Sequence, residues 1–170
     1  MSNYVALLRA VNVGGTGKLP MELLRKLCES CGFVNVATYI NSGNVIFTTK
    51  LSEARIRRKL EDALAAELGK PIGVHLRTPA ELEDILDRNP FRRADPARVL
   101  VLFLEHAVAD DALADLKIPG REEVRPSGRE IFVHYPDGLG RSKLKIPFAK
   151  AGTGRNLNTV RKLLELCRHA

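Results

Sequence analysis

The chain has no tryptophan, few aromatic residues (5% of 170) and only three cysteines. Phe132, Val133 and Tyr135 match part of the aromatic signature of RNA-recognition domains, but the scarcity of aromatic rings disfavours such a domain. The alternation of residue types expected for an ordinary β-strand explains this segment better. An odd number of cysteines argues against a disulfide framework and predicts a cytoplasmic protein. No apolar run approaches the roughly 18 residues of a membrane-spanning helix, so we expect no membrane partner.

The composition is otherwise that of a folded chain. Hydrophobic residues make up 45% of the sequence and charged residues 28%, which provides enough apolar surface for a packed core. No stretch rich in proline, glycine or serine divides the chain. We therefore predict a single compact domain over residues 1–170, built from the pseudo-repeat halves 1–78 and 79–170.

Charge is distributed unevenly along the sequence. Residues 139–170 hold eight of the 27 basic residues but only one of the 20 acidic residues, which leaves 19 of each in the rest of the chain. The eight are Arg141, Lys143, Lys145, Lys150, Arg155, Arg161, Lys162 and Arg168. Clustered guanidinium and ammonium groups bind oxygens and neutralise negative charge together, so this segment predicts an anionic partner.

The pattern of the first half predicts the order βαββαβ. A strand at 4–11 and a glycine-rich loop precede a helix that Pro20 opens and Gly32 ends. Two β-branched runs, 36–40 and 45–49, are joined by a hairpin turn. A helix capped by Ser52 and a strand at 72–77 complete this half.

The second half predicts a similar order, βαββα. Thr78, Pro79 and Glu81 form a capping box that starts a connecting helix ending near Arg88. The strands and helices that follow are expected at 98–104 (strand), 110–116 (short helix), 122–126 and 130–135 (hairpin), 144–150 (short helix) and from 157 (final helix). The repetition is one of element order and not of sequence.

The loop at residues 12–19 resembles a phosphate-binding P-loop only in part. Gly17 and Lys18 fit the pattern G-x-x-x-x-G-K-[ST], but Asn12 replaces its first glycine and Leu19 its metal-binding hydroxyl. A P-loop NTPase is therefore not expected. A flexible turn and a loop that binds a phosphate-type anion both remain open.

The cysteines and histidines do not predict a metal site or a catalytic centre. Cys28 and Cys31 lie one helical turn apart, but Cys28 and Cys167 both fall on apolar helix faces, where buried free thiols are ordinary. His169 is expected at a frayed helix end, where it would be poorly placed as a ligand. No Ser, Cys or acidic residue stands at a spacing from a histidine that would indicate a catalytic triad. The sequence therefore assigns no metal, no cofactor and no reaction.

The segment TGRNLNTVRKL combines a helix start with polar side chains. Asn156 is a natural N-cap, and an apolar stripe continues from Leu157 along the helix. This places Arg155 at the helix entrance, where free N–H groups favour an anion. Anion binding and simple capping use the same helix-end chemistry, so both interpretations stay open.

Three segments together resemble the domain-of-unknown-function family 1697 (DUF 1697) of bacterial proteins. These segments are LLRAVNVGG (7–15), TYINSGNVIF (38–47) and TGRNLNTVRKL (153–163). Asn41 stands where glutamine is frequent, and Leu157 stands where an aromatic residue is usual. The resemblance covers essentially the whole chain.

The resemblance implies an α+β fold of two ferredoxin-like βαββαβ-type repeats that share a mixed β-sheet. It implies no activity, because the family has no established function. It also nominates polar residues and glycines in the motifs as ligand-binding candidates. These are Arg9, Asn12, Gly14, Gly15, Lys18, Tyr39, Ser42, Asn44, Arg155, Asn156, Asn158 and Lys162.

We expect the protein to bind a small phosphate- or carboxylate-bearing ligand. Lys18 and Arg155 would neutralise charge, and backbone N–H groups near Gly14 and Asn44 would orient the ligand. On this hypothesis Arg155→Ala weakens binding without lowering thermal stability. The alternatives are a nucleic-acid-binding protein that uses the basic segment 139–170 and a non-catalytic interaction module. The sequence does not indicate an oligomeric state.

Overall fold

Two four-stranded antiparallel sheets and four α-helices form the regular structure of the described residues in this computed structural model. The structure describes residues 1–9, 19–39, 43–109, 111–146 and 151–168. The first half contains β1 (Ser2–Leu8), α1 (Met21–Ser30), β2 (Val34–Tyr39), β3 (Asn44–Thr49), α2 (Glu53–Leu68) and β4 (Val74–Arg77). The second contains α3 (Pro79–Arg88), β5 (Val99–Phe103), β6 (Glu123–Ser127), β7 (Glu130–His134), β8 (Thr153–Asn156) and α4 (Leu157–Arg168).

The first sheet has the strand order β2-β3-β1-β4, with β1 between two antiparallel neighbours. Alternate residues of the strands enter one apolar core with the buried faces of α1 and α2, as the two-residue period of a strand requires. Within that core the rings of Phe33 and Phe47 stack with centroids 4.2 Å apart. Burial of this apolar cluster is the main force that holds the helices on the sheet.

The helix boundaries follow the sequence signals closely. Pro20 precedes α1, and Gly32, with φ of 89°, follows its end. The Ser52 side chain accepts a hydrogen bond from the Arg55 N–H at the start of α2, and Gly69 ends that helix in the left-handed region. These predicted helix boundaries are therefore confirmed.

The second sheet has the order β6-β7-β5-β8. Its strands β5, β6, β7 and β8 therefore take the same places as β1, β2, β3 and β4 in the first sheet. Gly128, with φ of 61°, forms the turn of the β6–β7 hairpin, as predicted. A second apolar core packs on this sheet and includes Ile131, Val133 and Tyr135. Partly buried Leu144 and Ile146 also pack against it.

The chain forms two compact units. The first comprises Met1–Glu81 together with Leu163–Ala170, and the second comprises Leu82–Lys162. In the first unit the Asn3 side-chain amide donates to the Cys167 carbonyl at 3.4 Å, which links β1 to the last turn of α4. The sequence-based expectation of one compact domain with halves 1–78 and 79–170 stays a prediction.

The expected mixed sheet shared by the two halves is not what the described strands form. All their pairings are antiparallel, and they fall into two separate sheets. Each half pairs its own four strands, with β1 and β5 as inner strands, and such pairings close shorter loops than pairings between the halves would. The α+β class itself is confirmed.

Three local expectations in the second half need correction. Residues 111–116 form successive turns with i to i+3 hydrogen bonds instead of a helix, because so short a segment cannot recover the cost of helix nucleation. Residues 144–146 are also not helical, and residues 147–150 lie outside the described residues. The strand β8 was missed, since Thr-Gly-Arg-Asn has little of the β-branched and aromatic character of strands.

Within the described residues, no helix combines the length and the apolar character that crossing a membrane requires.

Candidate functional site

Arg9 lines a cleft in the described part of the first unit. The residue follows β1 directly, and its backbone N–H donates to the Gly73 carbonyl at 2.9 Å, just before β4. The cleft has a volume of about 540 Å³, within the range of small-molecule sites. It is lined by Arg9, Glu61, Asp62, Ala65, Lys70, Pro71, Ile72 and Gly73.

The cleft carries charges of both signs, but one of its carboxylates also serves the fold. Glu61 accepts a hydrogen bond from the Val74 N–H at 3.0 Å, and Arg57 donates to the Val74 carbonyl at 3.3 Å. These bonds attach α2 to the start of β4. Arg9 is exposed and Lys70 is half-buried, so two cationic side chains remain accessible at the cleft.

Asn44 and Tyr39 lie together at the turn end of the β2–β3 hairpin. The fully buried Asn44 side chain donates to the Tyr39 carbonyl at 3.0 Å. The neighbouring Gly43, with φ of 85°, accepts a hydrogen bond from the Leu8 N–H at 2.9 Å. This arrangement ties the hairpin turn to the end of β1, one residue before Arg9, and gives Asn44 a role in the fold.

Arg155 lies in β8 and directly precedes Asn156, so it stands at the entrance of α4 as predicted but within a strand. It pairs with Val101 in the β8–β5 ladder and is only 7% exposed. One guanidinium nitrogen, Nη1, donates to the Thr153 hydroxyl at 2.6 Å and to the Gly154 carbonyl at 2.9 Å. Burial lowers the pKa of Arg155 to about 10, so the side chain is still cationic at neutral pH.

Asn156 caps α4, as the sequence predicts. Its side-chain oxygen accepts a hydrogen bond from the Thr159 N–H at 2.9 Å. In the first turns of the helix, Asn158 is exposed and Lys162 is half-buried. The predicted apolar stripe is buried, with no member more than 6% exposed. It comprises Leu157, Val160, Leu163, Leu164 and Cys167.

The described candidates therefore form three local groups. Arg9 lines the cleft, Tyr39 and Asn44 share a hairpin turn, and the remaining four lie at the β8–α4 junction. The predicted residues Asn12, Gly14, Gly15, Lys18 and Ser42 lie outside the described residues. Sequence reasoning missed Lys70, which carries no motif and reaches the cleft only because α2 ends beside Arg9.

The three cysteines are free thiols. Burial raises the pKa of Cys28 to about 12 and that of Cys167 to about 11, so both thiols stay protonated at neutral pH. Among the described residues, no group of three or more His, Cys, Asp or Glu side chains is arranged to hold a metal ion. His169 lies outside those residues.

The chain is similar to a solved protein structure and to a family profile. No curated protein sequence matches it. The solved structure of a conserved bacterial protein from Streptococcus pneumoniae is similar to it, with a TM-score of 0.82, 30% sequence identity and 99% of each chain covered. The profile of a family described as "Protein of unknown function (DUF1697)" matches residues 1–132. That range includes the first two of the three motifs and most of both sheets, and the chain therefore belongs to the DUF1697 family.

Proposed function

We propose that the protein binds a small anionic ligand, of phosphate or carboxylate type, in the cleft lined by Arg9 and Lys70. The observation that carries this proposal is the position of Arg9. A residue nominated from its motif lines a cleft of about 540 Å³ together with a second cation. A guanidinium offers a planar pair of donors to a carboxylate or phosphate, and a nearby ammonium adds charge without fixing direction.

The carboxylates of the cleft set the kind of ligand we expect. Glu61 is held by the Val74 N–H, whereas Asp62 is exposed. A ligand with an anionic group at Arg9 and a hydrogen-bond donor near Asp62 complements both signs of charge. A ligand with negative charge alone would also meet repulsion from Asp62, so we expect a polar metabolite of mixed character to bind more tightly than inorganic phosphate.

The candidates at the β8–α4 junction support the proposal less directly. Arg155 is cationic and buried, and it stands just before a helix N-terminus, where an anion is favoured. Its described hydrogen bonds, however, also organise β8. A contribution of Arg155, Asn156, Asn158 and Lys162 to ligand binding stays a prediction, as does that of the five candidates outside the described residues.

We also propose that both sheets belong to ferredoxin-like repeats. In support, β1, β2, β3 and β4 occupy the same places in their sheet as β5, β6, β7 and β8 in theirs. Where the first half has α1, the second has turns at 111–116. Where the first half has α2, the described residues between β7 and β8 contain no α-helix, and residues 147–150 lie outside them. A cytoplasmic location is likewise a proposal, and the three unpaired thiols support it.

The test is a thermal-shift screen followed by calorimetry on variants. We expect saturable stabilisation by at least one phosphate- or carboxylate-bearing metabolite, since a ligand that binds only the folded state raises its stability. Arg9→Ala should weaken that binding by about tenfold or more, because it removes a charge-assisted hydrogen bond. Its melting temperature without ligand should not change, since Arg9 is exposed.

Arg58→Ala is the matched control. Arg58 is exposed on α2, is not part of the cleft, and its replacement changes the net charge by the same amount. Binding that weakens equally in both variants would show a general charge effect. Ligand binding that persists unchanged in an Arg9→Ala/Lys70→Ala double variant would place the ligand elsewhere and refute the proposed site.

A further inference from the structure

The segment that leaves β7 in the second unit is surrounded by aromatic and basic side chains. A cleft of about 490 Å³ is lined by Pro90, Phe91, Arg92, Arg93, Ala94 and His134. The rings of Phe91 and His134 are in contact, with centroids 5.5 Å apart and planes inclined by 34°. This contact and its partial burial restrict the Phe91 ring before any ligand binds. Binding a ligand against the ring therefore costs little side-chain entropy.

Two arginines near this cleft donate hydrogen bonds to neutral backbone carbonyls. Arg92 donates to the Asp87 carbonyl and Arg98 to the Pro136 carbonyl. A neutral carbonyl positions a guanidinium without cancelling its charge, and both residues, like Arg93, are exposed. These side chains therefore present positive charge to solvent next to an aromatic ring.

The basic surface extends past His134 toward Asp137. Asp137 is paired with Arg121, and the charges of Arg98 and Arg141 also act on its carboxylate, so that its pKa lies below the ordinary value. Three arginines thus act on this one carboxylate. A second, smaller cleft of about 170 Å³ at this end is lined by the cations Arg141 and Lys143 and by the acids Glu122 and Asp137. This cleft is therefore mixed in charge, and the excess of positive charge lies on the His134 side.

On the other side of β7, the acid that stands opposite His134 in the strand ladder is paired with an arginine. Glu123 pairs with His134 in the β6–β7 ladder, and its carboxylate lies 3.3 Å from Arg125 Nη2. Negative charge at this edge is therefore offset locally. We call the set Phe91, Arg92, Arg93, Arg98, His134 and Arg141 the β7 exit surface.

We propose that the β7 exit surface binds single-stranded nucleic acid, with one base stacked on the Phe91 ring and the adjoining phosphates on the arginines. An aromatic face beside several cations matches a chain in which bases and phosphates alternate. A duplex fits less well, because its bases are already stacked and paired. The surface is independent of the Arg9 cleft, which belongs to the first unit, so either proposal can fail alone.

This proposal differs from the one that the basic segment 139–170 suggested. Of the six residues of the surface, only Arg141 comes from that segment. Arg155 is buried, and the stripe of α4 faces a core. The aromatic contribution also does not come from the β7 strand positions that partly matched the RNA-recognition signature, since Phe132 is fully buried.

The test measures binding of labelled oligonucleotides of roughly ten uridines or thymidines by fluorescence anisotropy at several salt concentrations. We expect Phe91→Leu to weaken binding about tenfold, because base–aromatic stacking is lost while an apolar side chain is kept. Arg92→Ala/Arg93→Ala should lower the slope of log affinity against log salt by about 1.4, since each single-strand phosphate contact contributes about 0.7.

Arg55→Ala/Arg58→Ala is the matched control, because it removes two exposed arginines from α2 in the other unit. It should leave the slope and the effect of Phe91 unchanged. Melting temperatures check that each variant is folded, and Phe91→Tyr, which keeps the ring, should retain binding. Absence of oligonucleotide binding at low salt, equal loss in the control, or duplex binding that does not depend on Phe91 would each overturn the proposal.

Discussion

Arg77 and Arg155 occupy equivalent positions in the two sheets. Arg77 pairs with Val5 of β1, and Arg155 pairs with Val101 of β5. In each case one capping residue follows and a helix begins. Each Nη1 donates to the carbonyl of the preceding residue, at 2.8 Å for Arg77 and 2.9 Å for Arg155. The repeat therefore extends to a buried side chain, and Arg155 shares a structural role with a residue outside the three motifs.

This equivalence changes the expected effect of Arg155→Ala. Because Arg155 is buried, truncation leaves a void and removes packing by the aliphatic part of the side chain, so we now expect a loss of about 2 kcal/mol in the free energy of unfolding. Arg155→Met keeps most of the volume without the charge that burial disfavours, and should be at least as stable as the natural protein. Urea denaturation measures both.

The outcome separates packing from hydrogen bonding at Arg155. If Arg155→Met loses as much stability as Arg155→Ala, the bonds to Thr153 and Gly154 matter more than volume. If Arg155→Met instead keeps its stability, it is the more informative variant for ligand binding, because a change in affinity is then not mixed with partial unfolding.

The capping residue Asn156 allows its two interpretations to be tested. Asn156→Asp keeps an oxygen that can accept from the Thr159 N–H, so we expect the melting temperature to be maintained. Asn156→Ala should lose about 1 kcal/mol. If an anion binds at this helix end, the added carboxylate of Asn156→Asp repels it and calorimetry shows weaker binding. Unchanged affinity would leave Asn156 with capping alone.

The ion pair between Arg88 and Glu130 should contribute substantially to the stability of the second unit. Their charged atoms lie 2.7 Å apart, and the Glu130 side chain is 4% exposed. Removing Arg88 leaves a buried carboxylate without this partner, so Arg88→Ala should cost about 2–3 kcal/mol, toward the lower end of buried pairs because Arg88 is itself partly exposed.

A double-mutant cycle with Glu130→Gln measures the coupling in that pair. We expect the double variant to lose less stability than the two single variants together. The exposed pair Arg121–Asp137 is the comparison, and its disruption should have a much smaller effect. Similar losses for the two pairs in urea denaturation would contradict this ranking.

The buried thiol of Cys28 predicts a loss of stability at alkaline pH. Its pKa is raised by burial to about 12, whereas an unfolded thiol titrates near 9. Between these values the folded state holds the proton that the unfolded state releases, so this contribution is complete below pH 9 and is lost as the pH rises toward 12. Cys28→Ala should flatten the pH dependence of stability in this window, as measured by denaturation at several pH values.

Thiol labelling provides an independent check on the cysteines. Cys31 is half-buried, whereas Cys28 and Cys167 are at most 2% exposed. An alkylating reagent should therefore modify Cys31 first in the native protein, and the other two only after unfolding. Rapid native labelling of Cys28 in peptide mass spectra would contradict the burial described.

Local signals in the sequence predicted local structure well. The capping box appears as predicted, with Glu81 N–H donating to the Thr78 hydroxyl at 3.2 Å and Thr78 N–H donating to the Glu81 carboxylate at 2.9 Å. Such features depend on residues three or four positions apart, which one sequence window contains. The helix expected at 110–116 is wrong, since residues 111–116 form turns with i to i+3 hydrogen bonds. Leu113 and Leu116 still pack against the apolar core from these turns, so burial of these side chains does not require a helix.

The candidate sites depended on longer-range relationships. Lys70 lines the same cleft as Arg9 only because the strand that follows α2 pairs with β1. Phe91 contacts His134 only because β7 returns beside the loop that carries Phe91. Neither pair is marked by spacing or by residue type. The burial of Arg155 in a strand could not be predicted for the same reason. Its place in β8 follows from pairing with β5, more than fifty residues earlier in the chain.

By itself, the sequence determined the α+β class, the positions of most strands and helices, the family and the free state expected for the thiols, because hydrophobic period, caps and turn residues act over a few positions. Only the tertiary structure decided that the strands form two antiparallel sheets, that Arg155 is buried, and which cations share a cleft. Those outcomes depend on which distant strands pair and on the solvent exposure that each side chain retains. Both are set by the packing of residues that are far apart in the sequence.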